Sequence, residues 1–170
     1  NSAFGCAGER CMALPALCVQ ESIADRFVEK LLEISKELKI GPAYDKTTDL
    51  GPVVTESHKK HVEGWIQKGV DEGAKLILDG RGATVSGFEN GFYIGPTIFD
   101  HVTEDMEIGQ QEVFGPVLCI KRVKDFEEGL RMMNDNEFAN GSVIYTSSGY
   151  YSREFARRTD GGMVGINVGV

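Results

Sequence analysis

The chain has 170 residues, of which 41% are hydrophobic and 26% are charged, and this composition supports one domain with a hydrophobic core. Its formal net charge of -8 argues against nucleic acid or an anionic membrane as a partner, since either would require a basic face. No apolar run approaches the roughly 18 residues needed to cross a bilayer, and no signal peptide is visible.

The first half of the chain predicts two strands and two helices. Residues 13–19 are short and apolar and indicate a buried strand, although Pro15 weakens its beginning. A helix is expected over residues 21–39, because apolar side chains recur there at steps of three and four residues. Thr55 is expected to cap a second helix that ends near Glu72, and a strand follows at 74–78.

The second half alternates between strands and helices. Residues 92–99 predict two short strands that are separated by Gly95 and Pro96. Further strands are expected at 117–123, 142–145 and 163–168, and further helices at 125–134, capped by Asp125, and at 149–159. This alternation favours a layered α/β domain with largely parallel strand pairing. Neither a GxGxxG nor a P-loop motif occurs, so no segment of this sequence predicts a phosphate cradle.

The most unusual segment runs from Phe4 to Ala13 and combines small residues with two cysteines, a glutamate and an arginine. Small residues let the backbone approach a substrate closely. A neighbouring guanidinium favours the thiolate, the nucleophilic form of a cysteine, so Cys11 beside Arg10 is the candidate nucleophile. The ordinary alternative is a small buried hydrophobe, which is the interpretation for Cys18 and Cys119 within predicted strands.

The segment Phe4-Gly-Cys-Ala-Gly-Glu-Arg-Cys-Met-Ala13 resembles the catalytic-cysteine signature of the aldehyde dehydrogenase superfamily. Later segments resemble other landmarks of that family in the same order: 49–53, 72–75, 91–98, 111–117, 134–146 and 161–167. Each segment alone is a modest match, but the ordered set covers the whole chain and is specific. The resemblance implies that residues 1–170 form the three-layer α/β/α catalytic domain of this family, with a largely parallel sheet.

Within the family, Gly8-Glu-Arg-Cys-Met-Ala13 is most similar to the CoA-acylating methylmalonate-semialdehyde dehydrogenases of valine and inositol breakdown. Many other members carry Gln where this chain has Glu9. Substrates of that group bear a carboxylate beside the aldehyde, and Arg10 matches the arginine that holds it. The planar guanidinium suits a carboxylate, although Arg10 could instead pair with a structural acid.

The resemblance also implies a mechanism. Cys11 attacks the aldehyde, oxidation with NAD leaves a thioester, and CoA takes the acyl group with loss of CO2 to give propanoyl-CoA or acetyl-CoA. The backbone N–H of Cys11 is the candidate donor to the oxyanion. Glu112 matches the glutamate that holds the nicotinamide ribose, and Phe114 matches the aromatic beside the nicotinamide. Without the resemblance, Glu112 would be interpreted as an exposed loop acid and Phe114 as a core residue.

Two other functions stay open, namely a hydrolytic NAD(P)-dependent aldehyde dehydrogenase domain and a catalytically silent domain of the same fold. A metal site is not expected. His58 and His61 have a spacing that could serve two metal ligands, but no further ligand accompanies them, and a solvated helix face is the favoured interpretation.

Both ends of the chain look cut, so we expect a truncated domain whose NAD-binding domain is absent. Alone it is expected neither to turn over nor to bind NAD or CoA tightly, since hydride transfer needs a positioned cofactor. The four cysteines form neither a CxxC pair nor a disulfide framework, which favours a reducing compartment, either bacterial cytoplasm or mitochondrial matrix. The full-length protein is expected to form a homo-oligomer, either a dimer or a tetramer.

Overall fold

The computed structural model describes residues 2–169 and contains a mixed sheet of four strands, which are β1 (Ala16–Gln20), β2 (Lys75–Leu78), β3 (Thr97–Asp100) and β4 (Val117–Val123). The spatial order is β1-β4-β3-β2, with β4 parallel to both β1 and β3 and only β2 antiparallel to its neighbour. A separate parallel pair joins β5 (Gly141–Ile144) to β6 (Met163–Ile166). The expected α/β fold with largely parallel pairing is therefore confirmed.

Four α-helices connect the strands of the described chain, namely α1 (Glu21–Lys36), α2 (Glu56–Asp71), α3 (Phe126–Asn134) and α4 (Gly149–Arg158). The predicted caps start two of them: Thr55 accepts a hydrogen bond from the His58 N–H, and Asp125 accepts one from the Glu128 N–H. These side chains satisfy backbone donors that the first turn of a helix leaves without intrahelical partners.

The helices cover both faces of the four-stranded sheet. Consecutive residues of a strand point to opposite faces, and Arg122 and Val123 are consecutive in β4. Arg122 pairs with Glu21 of α1 at 3.1 Å, whereas Val123 lies against Gly129 of α3. The sheet therefore lies between α1 and α3, which is the expected three-layer arrangement.

The hydrophobic core lies along this sheet and is closed by α2. Val62 and Ile66 of α2 are fully buried together with Ile98, Phe99 and Ile120 of the central strands. Burial of such aliphatic side chains contributes about 1.5–3 kcal/mol each, so the central strands form a firm base for the loops at their ends.

Of the two short strands predicted over residues 92–99, the first, before Gly95, is wrong. There the backbone bonds to loops instead of a strand: the Gly95 N–H donates to Gly80, and Phe92 accepts from the Val53 N–H. Pro96 has no N–H to donate, and the strand β3 begins only after it, at Thr97.

Other predicted boundaries differ by one or two residues, as in the last strand, which ends at Ile166 instead of residue 168, and two differ by three. The first strand starts at Ala16 instead of residue 13, because the Ala13 N–H closes a turn onto the Arg10 carbonyl. Helix α1 ends at Lys36 instead of residue 39, where the Glu37 N–H bonds to the Ile34 carbonyl in a tightened last turn. Within residues 2–169, no helix is long and apolar enough to cross a membrane.

Candidate active site

The loop that carries Cys11 is built from left-handed backbone. Cys6, Ala7 and Gly8 have φ values of 54°, 56° and 72°, a region that residues with a Cβ rarely adopt. Gly8 also has no room for a side chain, because a Cβ there would lie 2.5 Å from the carbonyl carbon of Gly115 and closer still to its oxygen. The loop is thus packed backbone to backbone against the segment that precedes β4.

Parallel pairing brings the two halves of the site together. The Cys11 loop leads into β1 and residues 112–114 lead into β4, and these two strands are parallel neighbours. Segments that precede parallel neighbours enter the sheet at the same edge. The Cys119 N–H of β4 donates to Pro15 at 2.8 Å, which fixes the relative position of the two segments.

All four residues that the sequence singled out line one cavity of about 660 Å³, and these are Cys11, Arg10, Glu112 and Phe114. Residues separated by a hundred positions therefore share one surface. Their individual roles stay predictions.

Cys11 lies exposed on the turn that the Ala13 N–H closes onto Arg10. The Asn140 amide donates to the Cys11 carbonyl at 3.1 Å, so the loop before β5 holds the peptide of the candidate nucleophile. The backbone N–H of Cys11 has no acceptor among residues 2–169, and it is therefore able to donate to an oxyanion.

The other cysteines differ from Cys11 in their surroundings. Cys119 is buried and donates to the Ile108 carbonyl at 3.3 Å, and burial raises the pKa of its thiol to about 12. Burial also raises the pKa of the half-buried Cys18, an effect that Lys121 partly opposes. The core interpretation is confirmed for Cys119, whereas Cys18 is only half-buried. Cys6 is exposed, as Cys11 is.

Arg10 is half-buried and lies toward the start of the chain, where its Nη2 donates a long bond of 3.4 Å to the Ser2 carbonyl. Its Nε is buried without a hydrogen-bond partner. Among residues 2–169 the guanidinium forms no ion pair, so the alternative of a structural acid finds no partner there. A guanidinium in this state retains donors for an anionic ligand.

Glu112 and Phe114 lie in the irregular segment before β4, and both are exposed. Phe114 is 37% exposed with a φ of 56°, so its interpretation as a core residue is wrong. The Glu112 carboxylate forms no ion pair within the described part of the chain. An acid and an aromatic ring are thus presented to the cavity.

His58 lies near the site, although the sequence did not indicate it as a site residue. His58, in the first turn of α2, places its Nε2 2.7 Å from the Phe114 carbonyl and 3.3 Å from Glu9 Oε1. The interpretation as a solvated helix face is therefore wrong for His58, although it holds for the exposed His61. No local pattern could indicate contacts to residues 49 and 56 positions away. Residues 2–169 contain no group of three or more His, Cys, Asp or Glu side chains arranged for a metal ion.

The sequence pattern of the aldehyde dehydrogenase family matches residues 1–170. This chain belongs to that family. Malonate-semialdehyde dehydrogenase 1 of Oceanobacillus iheyensis is 51% identical to all of the chain, which covers 35% of that protein. A malonate-semialdehyde dehydrogenase 2 of Bacillus thuringiensis is 48% identical over the same share of each.

Two solved structures are also similar. A protein of Sinorhizobium meliloti 1021 complexed with NAD, provisionally assigned as a methylmalonate-semialdehyde dehydrogenase, superimposes with a TM-score of 0.96 at 44% identity. The match covers 99% of this chain and 35% of that one. The methylmalonate-semialdehyde dehydrogenase of Oceanimonas doudoroffii gives 0.94 at 41% identity, over 98% and 34%. The chain thus spans about a third of the length of these relatives.

Proposed function

We propose that this chain is the cysteine-bearing catalytic part of a CoA-acylating (methyl)malonate-semialdehyde dehydrogenase that uses NAD. The observation that supports the proposal is that Cys11, Arg10, Glu112 and Phe114 line the same cavity. The names of the relatives, malonate- and methylmalonate-semialdehyde dehydrogenase, support the same substrate class. Each of these substrates has an aldehyde for the thiol and a carboxylate for the guanidinium.

The first step belongs to Cys11. Its thiolate adds to the aldehyde carbon, and the carbonyl oxygen becomes an oxyanion to which the Cys11 N–H can donate a hydrogen bond. Asn140 holds the Cys11 carbonyl at 3.1 Å and so keeps this peptide in place as charge develops. Arg10 would bind the substrate carboxylate, which orients the aldehyde toward the adjacent thiol.

The residues before β4 fit a nicotinamide nucleotide. The exposed carboxylate of Glu112 can accept hydrogen bonds from two ribose hydroxyls, and the exposed ring of Phe114 offers an apolar surface to the nicotinamide. NAD, when bound, supplies the hydride acceptor that converts the thiohemiacetal into an acyl thioester. The phosphates of NAD need donors that this segment lacks, and we propose that another part of the protein supplies them.

Transfer of the acyl group completes the proposed reaction. The CoA thiol attacks the thioester carbonyl and passes its proton to the released Cys11 thiolate. The α-carbon loses CO2 and takes a proton from solvent, which yields acetyl-CoA or propanoyl-CoA. The carboxylate bound by Arg10 is the group that leaves as CO2. We further propose a homo-oligomer in the bacterial cytoplasm or the mitochondrial matrix.

The test uses the protein expressed from its complete gene. NADH formation is followed at 340 nm with malonate or methylmalonate semialdehyde, each with and without CoA, and products are identified by mass spectrometry. We expect CoA-dependent turnover to acetyl-CoA or propanoyl-CoA, abolished by Cys11→Ala. A free carboxylic acid formed without CoA would indicate a hydrolytic enzyme, and no NADH with either semialdehyde would refute the proposal.

A further inference from the structure

One imidazole joins the Cys11 loop to the Phe114 segment. His58 Nε2 lies 2.7 Å from the Phe114 carbonyl oxygen and 3.3 Å from Glu9 Oε1. Glu9 is two residues before Cys11, and it also accepts the Val54 N–H at 3.2 Å. We call this group of Glu9, His58 and the Phe114 carbonyl the clasp.

The position of the hydrogen in the clasp follows from its partners. A carbonyl oxygen and a carboxylate oxygen are both acceptors, so the nitrogen between them must carry the hydrogen. His58 therefore donates from Nε2, with the short bond directed to Phe114 and the longer contact to Glu9. The side chains of His58 and Glu9 are only 20% and 15% exposed. This partial burial strengthens hydrogen bonds and charge pairs relative to open water.

The peptide that the clasp holds has an unfavourable conformation. Phe114 has a φ of 56°, which is disfavoured for a residue with a Cβ and persists only where the surroundings enforce it. The next residue, Gly115, faces the same helix, since a Cβ there would lie 2.6 Å from Val62. Helix α2 thus holds residue 114 through His58 and residue 115 through close packing.

We infer that His58 is a positioning residue, which fixes the Phe114 carbonyl and, through Glu9, couples the nucleophile loop to the cofactor side of the cavity. The inference rests on the proposed function for its catalytic consequence, although the clasp itself is a structural claim. His58 touches neither substrate nor cofactor in this account. Its loss would misplace the Phe114 segment while Cys11 remains present.

The test compares three substitutions in the protein expressed from its complete gene. Gln places an amide Nε2–H at nearly the reach of the histidine Nε2, whereas Asn is too short, and Ala has no donor. We expect His58→Ala and His58→Asn to raise the KM for NAD about tenfold, the effect of one hydrogen bond to a partly buried acceptor. The KM for semialdehyde should change less than about threefold, and His58→Gln should restore both values to within about threefold of the parent.

A second measurement is independent of turnover. Peptide-level hydrogen exchange of residues 112–116 should accelerate in the Ala and Asn variants, and remain unchanged in His58→Gln and in the control Lys60→Ala. Lys60 is an exposed residue of the same helix, and among residues 2–169 its one ion pair is with Glu56. If His58→Ala does not fold, the test uses Glu9→Ala, which removes the carboxylate that contacts His58. Faster hydrogen exchange of residues 112–116 is expected in this variant too.

The outcomes separate the two claims. The clasp would be overturned if His58→Asn had the same KM for NAD and the same exchange rates as His58→Gln. It would also be overturned if His58→Ala left both the exchange of residues 112–116 and the KM for NAD unchanged. A parent protein that forms no NADH with either semialdehyde would refute the proposed function, and the exchange data would then decide the clasp alone.

Discussion

Replacement of Gly8 by alanine tests the close packing on which the candidate site depends. The new methyl carbon would lie 2.5 Å from the Gly115 carbonyl carbon, where carbon contacts of about 3.5–4.0 Å are normal. Backbone lies on both sides of the clash, so the two segments would have to separate by about 1 Å. The left-handed φ of 72° adds a penalty of about 1–2 kcal/mol, and the overpacking about 1–3 kcal/mol.

The measurement is urea unfolding of the 170-residue chain, followed by the fluorescence of Trp65, its single tryptophan. We expect Gly8→Ala to lower the free energy of unfolding by about 2–5 kcal/mol. The matched control is Gly73→Ala, since Gly73 has a φ of 90° but nothing within 4 Å of an added Cβ. This control should lose only about 1–2 kcal/mol from backbone strain. Equal losses in the two variants would refute the argument that Gly8 is required by contact with Gly115.

Three further predictions concern the thiols, the guanidinium and a buried acid. At pH 8, iodoacetamide should label the exposed Cys11 but leave Cys119 unlabelled in the folded chain, as measured by peptide mass spectrometry. The reason is that burial raises the pKa of Cys119 to about 12 and so keeps it a thiol. Arg10→Ala should raise the KM for a semialdehyde about 10- to 100-fold but hardly change that for the uncharged propanal, since only the former loses a charge-assisted hydrogen bond. Asp100 is 1% exposed; its burial would raise its pKa, but hydrogen bonds, chiefly from Arg122, outweigh this and hold the pKa below its ordinary value. Arg122 keeps its ion pairs to Glu21 and Asp25, so Asp100→Asn should cost about 1.5–3 kcal/mol at pH 7, the contribution of a hydrogen bond to a charged group. Urea titrations should show this difference shrinking as the pH falls below about 4 toward the lowered native pKa.

Local signals predicted those elements whose stabilising contacts are close in sequence. The caps at Thr55 and Asp125 bond to backbone three residues later, so the residue type and its position indicated the helix starts. The strand at 117–123 was predicted to the residue, although its apolar run, which begins directly after Pro116, is interrupted by Lys121 and Arg122. In contrast, residues 92–96 have strand-like composition but bond to distant loops, which a local pattern does not reveal.

For the candidate site, too, the sequence indicated some features and could not indicate others. The order of side chains along the chain was enough to indicate Cys11, Arg10, Glu112 and Phe114, because a resemblance to a family depends only on that order. It could not indicate that Phe114 is exposed with left-handed backbone, since this conformation is enforced by the neighbouring helix.

By itself, the sequence indicated the candidate nucleophile and its arginine neighbour through the resemblance to a family, and the α/β class through the alternation of strands and helices. Only the tertiary structure decided that Cys11 and Glu112 share one cavity, because parallel pairing of β1 with β4 brings their preceding loops to one edge. It also placed His58 between Glu9 and Phe114, which become its neighbours only when α2 packs beside both loops. Contacts at such separations depend on the packed fold, and no short window of sequence contains them.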